Sequence, residues 1–154
     1  MTRSFAAAPL TIDDIGVAFP LIRAALPDID LSAWRSFARG LVDLPSPYPT
    51  GGVALRNEGG YLCGVLTYRI DRDLRHGTTL NVDVFAALDV TGEEAAMRAL
   101  LQAAEEKARE LRCAAVGIHI EGGGGPIADR FRTTGYRRQA TIFCKMLEPR
   151  TALA

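Results

Sequence analysis

The sequence predicts an α+β fold, a central mixed β-sheet with helices on both faces, and three observations carry that prediction. Residues 52–88 contain three strand-like runs joined by short reversals, as in an antiparallel meander. Residues 78–120 read strand, helix, strand, the order of a right-handed crossover that makes two strands parallel. Residues 11–41 carry apolar side chains at three- and four-residue spacing, as two amphipathic helices would. At 154 residues and 48% hydrophobic, the chain has material for one core, so residues 1–154 are expected to form a single domain, with 148–154 a frayed tail.

The elements follow in order. Residues 3–8 suit a short strand ended by Pro9. Thr11 is placed as an N-cap, with Asp13 and Asp14 in the positively polarised first turn and Ile12, Ile15, Phe19, Ile22 and Leu26 on one face. Pro20 is a kink site and Pro27 a stop. A second helix starts after Asp30, and the shared face of Leu31, Trp34, Phe37, Ala38 and Leu41 reads first as core packing. Residues 45–52, PSPYPTGG, read as a loop, because prolines lack donors and glycines cost order. The hairpin 52–56/61–70 turns on Asn57–Gly60, and 71–77 reverses into a strand over Thr78–Leu88. Thr91-Gly92-Glu93-Glu94 has the spacing of a capping box, which would start a helix running to Leu111. Cys113–Ile120 is a nearly unbroken apolar run, expected of a strand buried on both faces. Pro126 opens a short helix that Gly135 closes, and Tyr136–Leu147 is expected to be the last strand.

Composition bounds the partners. Eighteen basic and eighteen acidic side chains cancel, so no overall positive field gathers nucleic acid or anionic lipid. No apolar stretch approaches the ~20 residues that span a bilayer. Cys63, Cys113 and Cys144 are odd in number and far apart, which reads as buried thiols in a reducing compartment and a cytoplasmic protein, with no metal site.

Two places could carry chemistry. A strand leading through one turn into a helix makes an anion site, because the first N–H groups of a helix have no intrahelical acceptors and the dipole is positive there. Residues 92–97 occupy that position, and Glu93 and Glu94 oppose an anion while suiting the helix dipole. The candidate bases are Asp83 on the fourth strand and His119 and Glu121 on the fifth, the last two spaced to share a face. A neutral imidazole takes a proton from an amine; a hydrogen-bonded core histidine is the plainer reading of His119, and a solvated strand end that of Glu121. His76 lies in a charged loop and reads as exposed.

The spacing from Val82-Asp83 through Arg98-Ala99-Leu100-Leu101 to Cys113 and then Gly135-Tyr136, together with the element order, resembles the GNAT superfamily of acyl-CoA-dependent N-acyltransferases over nearly the whole chain. The resemblance implies a GNAT-like fold, acetyl-CoA as co-substrate lying in the gap between the fourth and fifth strands, and direct attack by the amine of a small molecule or peptide. It implies that the backbone of Phe85, Ala86 and Ala87 meets the pantetheine arm and that Gly92, Glu93, Glu94, Ala95, Ala96 and Met97 meet the phosphates. The family pattern R/Q-x-x-G-x-G/A falls on Gly92, Ala95 and Met97, so Met97 is expected to crowd the phosphates and, with the two glutamates, to weaken coenzyme A binding. The tyrosine that usually serves as general acid is Phe131 here, which cannot reprotonate a thiolate. A GNAT-fold protein without catalysis, acting as a binding or interaction module, is the alternative, and a homodimer is open on either reading.

Overall fold

In the computed structural model, residues 4–43, 49–88, 94–120 and 125–149 are described. They fall into two compact units, 1–121 and 122–154. The first holds a five-stranded sheet in the order β1-β2-β3-β4-β5: β1 Ala6–Pro9, β2 Thr50–Arg56, β3 Leu62–Asp73, β4 Gly77–Ala87 and β5 Ala115–Ile118. Strands β1 to β4 pair antiparallel, and β4 pairs with β5 in parallel, so the sheet is mixed as expected. Pro9 lies within β1 and not after it, tolerated because β1 is an edge strand that can spare one donor.

Two helices cover one face. Helix α1 spans Ile12–Ala25, and Asp14 accepts from both the backbone N–H and the hydroxyl of Thr11 at 2.9 and 3.0 Å. The helix runs through Pro20, while Trp34 Nε1 donates to the Ile15 carbonyl at 2.7 Å one turn upstream. Helix α2 spans Leu31–Asp43, and Asp30 caps it by accepting from Ala33 N–H at 2.7 Å. Ile15, Ala18, Ile22, Trp34 and Ala38 form one core with Ala54, Val65 and Ala86 of the sheet. Ile12 and Phe37, expected on the apolar faces, are 49% and 41% exposed. Helix α3, Ala95–Glu110, packs Ala96, Leu100, Ala103, Ala104 and Ala108 on the opposite face against Leu55, Leu66, Leu80 and Val82.

Several boundaries differ from expectation. Thr50 and Gly51 belong to β2 rather than to the loop, so the strand starts two residues before Gly52. A Cβ on Gly52 would stand 2.8 Å from Leu10 Cδ2, so the glycine admits the close approach of β1's exit to β2. The 57–60 turn is as expected, with Gly60 at φ +80° and its N–H donating to the Asn57 carbonyl. Helix α3 does not start from the Thr91 capping box. Its N-cap is Glu94 in the left-handed region at φ 57°, a conformation the third residue of a helix cannot hold; Thr91 itself lies outside the described residues. At the other end, Arg112 is also left-handed at φ 57°, and Cys113 N–H donates to Ala108 O at 2.8 Å, a Schellman closure with arginine where glycine is usual.

Strand β5 is four residues long and half-buried, not buried on both faces, because it ends the described sheet with one ladder partner. Of the three cysteines, Cys63 is buried, Cys113 is half-buried and Cys144 is exposed, and all are free thiols.

The second unit contains α4, Gly125–Thr133. Gly135 at φ +94° closes it as expected: Tyr136 N–H donates to Phe131 O, and the two rings meet edge-on with centroids 6.0 Å apart. Residues 136–149 form no strand, contrary to the sequence expectation. Ile142, Phe143, Met146 and Leu147 of this run are exposed, and strand-like composition alone does not supply the cross-strand pairing that makes a strand.

Candidate functional site

The site is built around an irregularity in β4. Along the β3–β4 ladder Tyr68 opposes Val82 and Thr67 opposes Val84, so Asp83 is an inserted residue, a β-bulge. The insertion reverses the alternation of the strand. Leu80 and Val82 face the α3 core, Val84 and Ala86 face the α1/α2 core, and Phe85 and Ala87 return to the α3 side. The β4–β5 ladder ends beside the bulge: its last pair is Val82 with Ile118, followed by a hydrogen bond from His119 N–H to Val82 O at 3.0 Å. Beyond that point β4 continues to Ala87 with β3 as its ladder partner, so the β4–β5 ladder ends ahead of Phe85, Ala86 and Ala87.

Polar side chains gather on the face turned away from α3. His119 Nδ1 lies 3.7 Å from Asp83 Oδ1. The other carboxylate oxygen lies 3.4 Å from Arg69 Nε, and the same nitrogen lies 3.3 Å from Asp71 Oδ2. Asp71 Oδ2 also accepts from Asn81 Nδ2 at 2.9 Å. Gly117 makes room for this chain of contacts, since a Cβ there would fall 2.5 Å from Asn81 Oδ1. Burial raises the Asp83 carboxyl above its ordinary range; Arg69 and His119 pull it back and Asp71 adds to the rise. The group is a carboxylate held against its preference, next to an imidazole, at the fork between two strands.

Of the residues singled out in the sequence, Asp83 and His119 come together. Phe85 and Ala87 are partly buried and Ala86 is buried at the end of β4. Glu94, Ala95, Ala96 and Met97 are the N-cap and first turn of α3. Met97 is buried in the first turn of α3, at 4% exposure. Glu121, Gly92 and Glu93 lie outside the described residues. His76 lies in the β3–β4 turn, 3.7 Å from Asp73, away from this cluster in the chain.

Arg69, Asp71 and Asn81 were not singled out from the sequence. Their signal is present: Arg69-x-Asp71 and Asn81-x-Asp83 are polar at alternate positions of otherwise apolar strands, hence on one face. Which strands were neighbours, and in which register, decides that the two pairs meet.

The donor set can be tested against acetyl-CoA. A thioester arm runs along a strand, and β4 continues to Ala87 beyond Val82, its last ladder pair with β5. A pyrophosphate needs a helix start with little side-chain bulk, and α3 opens with Ala95 and Ala96 followed by a buried Met97. The residues fit, with Glu94 the one opposing charge among those described. Among the described residues, no three His, Cys, Asp or Glu side chains are grouped as a metal site requires, and no helix is long and apolar enough to cross a membrane.

No family model and no curated protein matches the sequence. Solved structures do match in fold. An aminoglycoside N-acetyltransferase in complex with CoA aligns with a TM-score of 0.77 at 9% identity, covering 95% of this chain and 97% of its own. An aminoglycoside 6'-N-acetyltransferase from Acinetobacter baumannii aligns at 0.75 and 11% identity over 94% of this chain and 100% of its own. A ribosomal-protein-alanine N-acetyltransferase from Brucella melitensis biovar Abortus 2308 aligns at 0.68 and 16% identity, over 94% and 100%.

Proposed function

We propose that this chain, which has the GNAT-like fold of those acetyltransferases, is an N-acetyltransferase that moves an acetyl group from acetyl-CoA to an amine by direct attack. The observation that carries the reading is the fork: the β4–β5 ladder stops at Val82 and Ile118, and the next residue of β5's chain, His119, stands beside the carboxylate of the β4 bulge. Bound there, acetyl-CoA would supply a thioester carbonyl, with Phe85, Ala86 and Ala87 of β4 along its pantetheine arm and Ala95, Ala96 and Met97 at the start of α3 beside its phosphates. Gly92 and Glu93 belong to the same proposed phosphate segment, and Glu121 is carried as a second candidate base. His119 accepts the proton that an ammonium must lose before its nitrogen can attack, a role worth about 10²–10⁴-fold in rate.

The acceptor is an amine of a small molecule or peptide. The structural relatives named above for aminoglycosides and for a ribosomal-protein alanine both acetylate amino groups, which supports that class. A second reading, a binding module on a GNAT-like fold, is supported by Phe131: the position of the usual phenol is a buried ring in the closure of α4, without a proton to give. One experiment separates the two. Acetyl transfer from acetyl-CoA to a panel of primary amines is measured for the wild-type chain and His119→Gln, alongside thermal shift with coenzyme A. The enzyme reading expects stabilisation of about 2.7 kcal/mol at a hundred times the dissociation constant and turnover reduced at least a hundredfold in the variant. Absence of turnover on every amine leaves the binding module standing, and no stabilisation at millimolar coenzyme A ends the enzyme reading.

A further inference from the structure

His119 has two ring nitrogens, and its use as a base depends on which one carries the proton. Its main chain is fixed by the 3.0 Å hydrogen bond to Val82 O, one residue before the bulge. Its ring is set with Nδ1 toward Asp83 Oδ1 at 3.7 Å, and the two side chains are 36% and 23% exposed. The second carboxylate oxygen faces Arg69 Nε at 3.4 Å. Arg69 is in turn shared with Asp71, and Asp71 is held by Asn81. The charges acting on Asp83 are Arg69, His119 and Asp71, from β3 and from the end of β5.

We propose that Asp83 is the positioning residue of His119: it keeps the proton of the neutral ring on Nδ1 and so presents the Nε2 lone pair as the acceptor. This rests on the acetyl-transfer reading above for its catalytic meaning. In the step itself the Nε2 lone pair forms a bond to one ammonium proton of the acceptor. The N–H bond of the ammonium breaks, and its electron pair stays on nitrogen as the lone pair that attacks the thioester carbonyl. The imidazolium so formed faces a full negative charge on Asp83. A separation of 3.7 Å is longer than a hydrogen bond, and closing it toward ~2.8 Å becomes favourable when the ring gains charge. The interaction is therefore stronger after proton transfer than before it, which is the condition for it to speed the reaction. The insertion leaves Asp83 outside the β3 ladder, at the point where the β4–β5 ladder ends.

Nitrogen-15 NMR of the ring nitrogens reads the tautomer directly and needs no substrate. The chain has two histidines, so His76→Gln assigns the His119 signals by elimination. The wild-type protein at high pH is expected to show the Nδ1–H form, and Asp83→Ala the loss of that preference. Asp83→Glu, which keeps the charge on a longer arm, is expected to retain it in part. With an accepted amine, Asp83→Ala is expected to lower kcat by one to two powers of ten, a share of the 10²–10⁴ a positioned base contributes, with KM for acetyl-CoA unchanged. A wild-type His119 in the Nε2–H form, or a tautomer unchanged in Asp83→Ala, overturns the proposal. If the tautomer responds but no amine is acetylated, the pairing stands and the acetyl-transfer reading falls.

Discussion

Replacing Gly117 by alanine tests whether the polar chain on the sheet is one connected structure. The added Cβ would lie 2.5 Å from Asn81 Oδ1, with Asn81 Cγ at 3.7 Å and Thr79 Cγ2 at 3.8 Å. Real Cβ contacts are not that short, so the Asn81 amide must swing away. An off-rotamer side chain costs about 0.5–1.5 kcal/mol. The 2.9 Å hydrogen bond from Asn81 to Asp71 is lost with it, about 0.5–1.5 kcal/mol more. Against this, alanine in place of glycine in a strand regains roughly 0.5–1 kcal/mol of backbone entropy. The balance is a loss of about 1 kcal/mol, or ~2–4 °C in Tm for a chain of this size. The functional consequence is larger in kind: Asp71, released from Asn81, competes more freely for Arg69, and Asp83 loses part of its clamp. Differential scanning calorimetry with the NMR measurement of the His119 tautomer reads both effects. A variant with unchanged Tm and unchanged tautomer would show that Asn81 does not couple β5 to the Arg69 cluster, and the reasoning from Gly117 to the site would be wrong.

Three further outcomes are expected. Burial pushes the Asp14 carboxyl up, but the Thr11 backbone N–H, the Arg56 guanidinium at 2.7 Å and the Thr11 hydroxyl outweigh it and hold the group below the ordinary carboxylate value; a lowered value gives stability present at neutral pH and lost as the folded-state group protonates, so Asp14→Asn is expected to cost about 2 kcal/mol at pH 7 and progressively less below about pH 4 in urea titrations. Asp83 has the opposite sign: its raised carboxyl contributes stability at low pH that is lost as pH rises through the folded value, so Asp83→Asn is expected to be more stable than wild type at pH 7 and equal to it near pH 3, while turnover falls. Arg112→Gly relieves a left-handed residue costing about 1–2 kcal/mol and gives back roughly 0.5–1 in chain entropy, so thermal unfolding is expected about 1–3 °C higher, with acetyl transfer unaffected.

Local chemistry made much of this fold legible in the sequence. Asp30 caps α2, Gly60 and Gly135 take the left-handed positions they were assigned, and β4 and β5 are parallel because a helix of α3's length connects them. The failures come from pairing. The capping-box spacing of residues 91–94 is a local preference, and the backbone at Glu94 adopts a left-handed turn instead. Residues 136–147 have the composition of a strand, but composition supplies no partner. His119 and Asp83 could each be named as a base, yet their proximity depends on the register of β4 on β5, which no window of the sequence contains.

The bulge at Asp83 joins these observations into one physical account. A regular β4 would keep residues 80, 82, 84 and 86 on a single face, so Val84 and Ala86 would crowd the α3 core and leave the α1/α2 core without them. One inserted residue corrects the pattern: the apolar set changes face, and both helix layers receive side chains. The cost is a residue with no place in the ladder, and the sequence puts there an aspartate whose burial opposes its charge. A strand needing only to satisfy its packing could carry serine or glycine at that point with less desolvation. An acidic group there, facing Arg69 on one side and an imidazole on the other where the parallel ladder ends, is not explained by packing alone, and the proposed base at the strand fork would give it a reason.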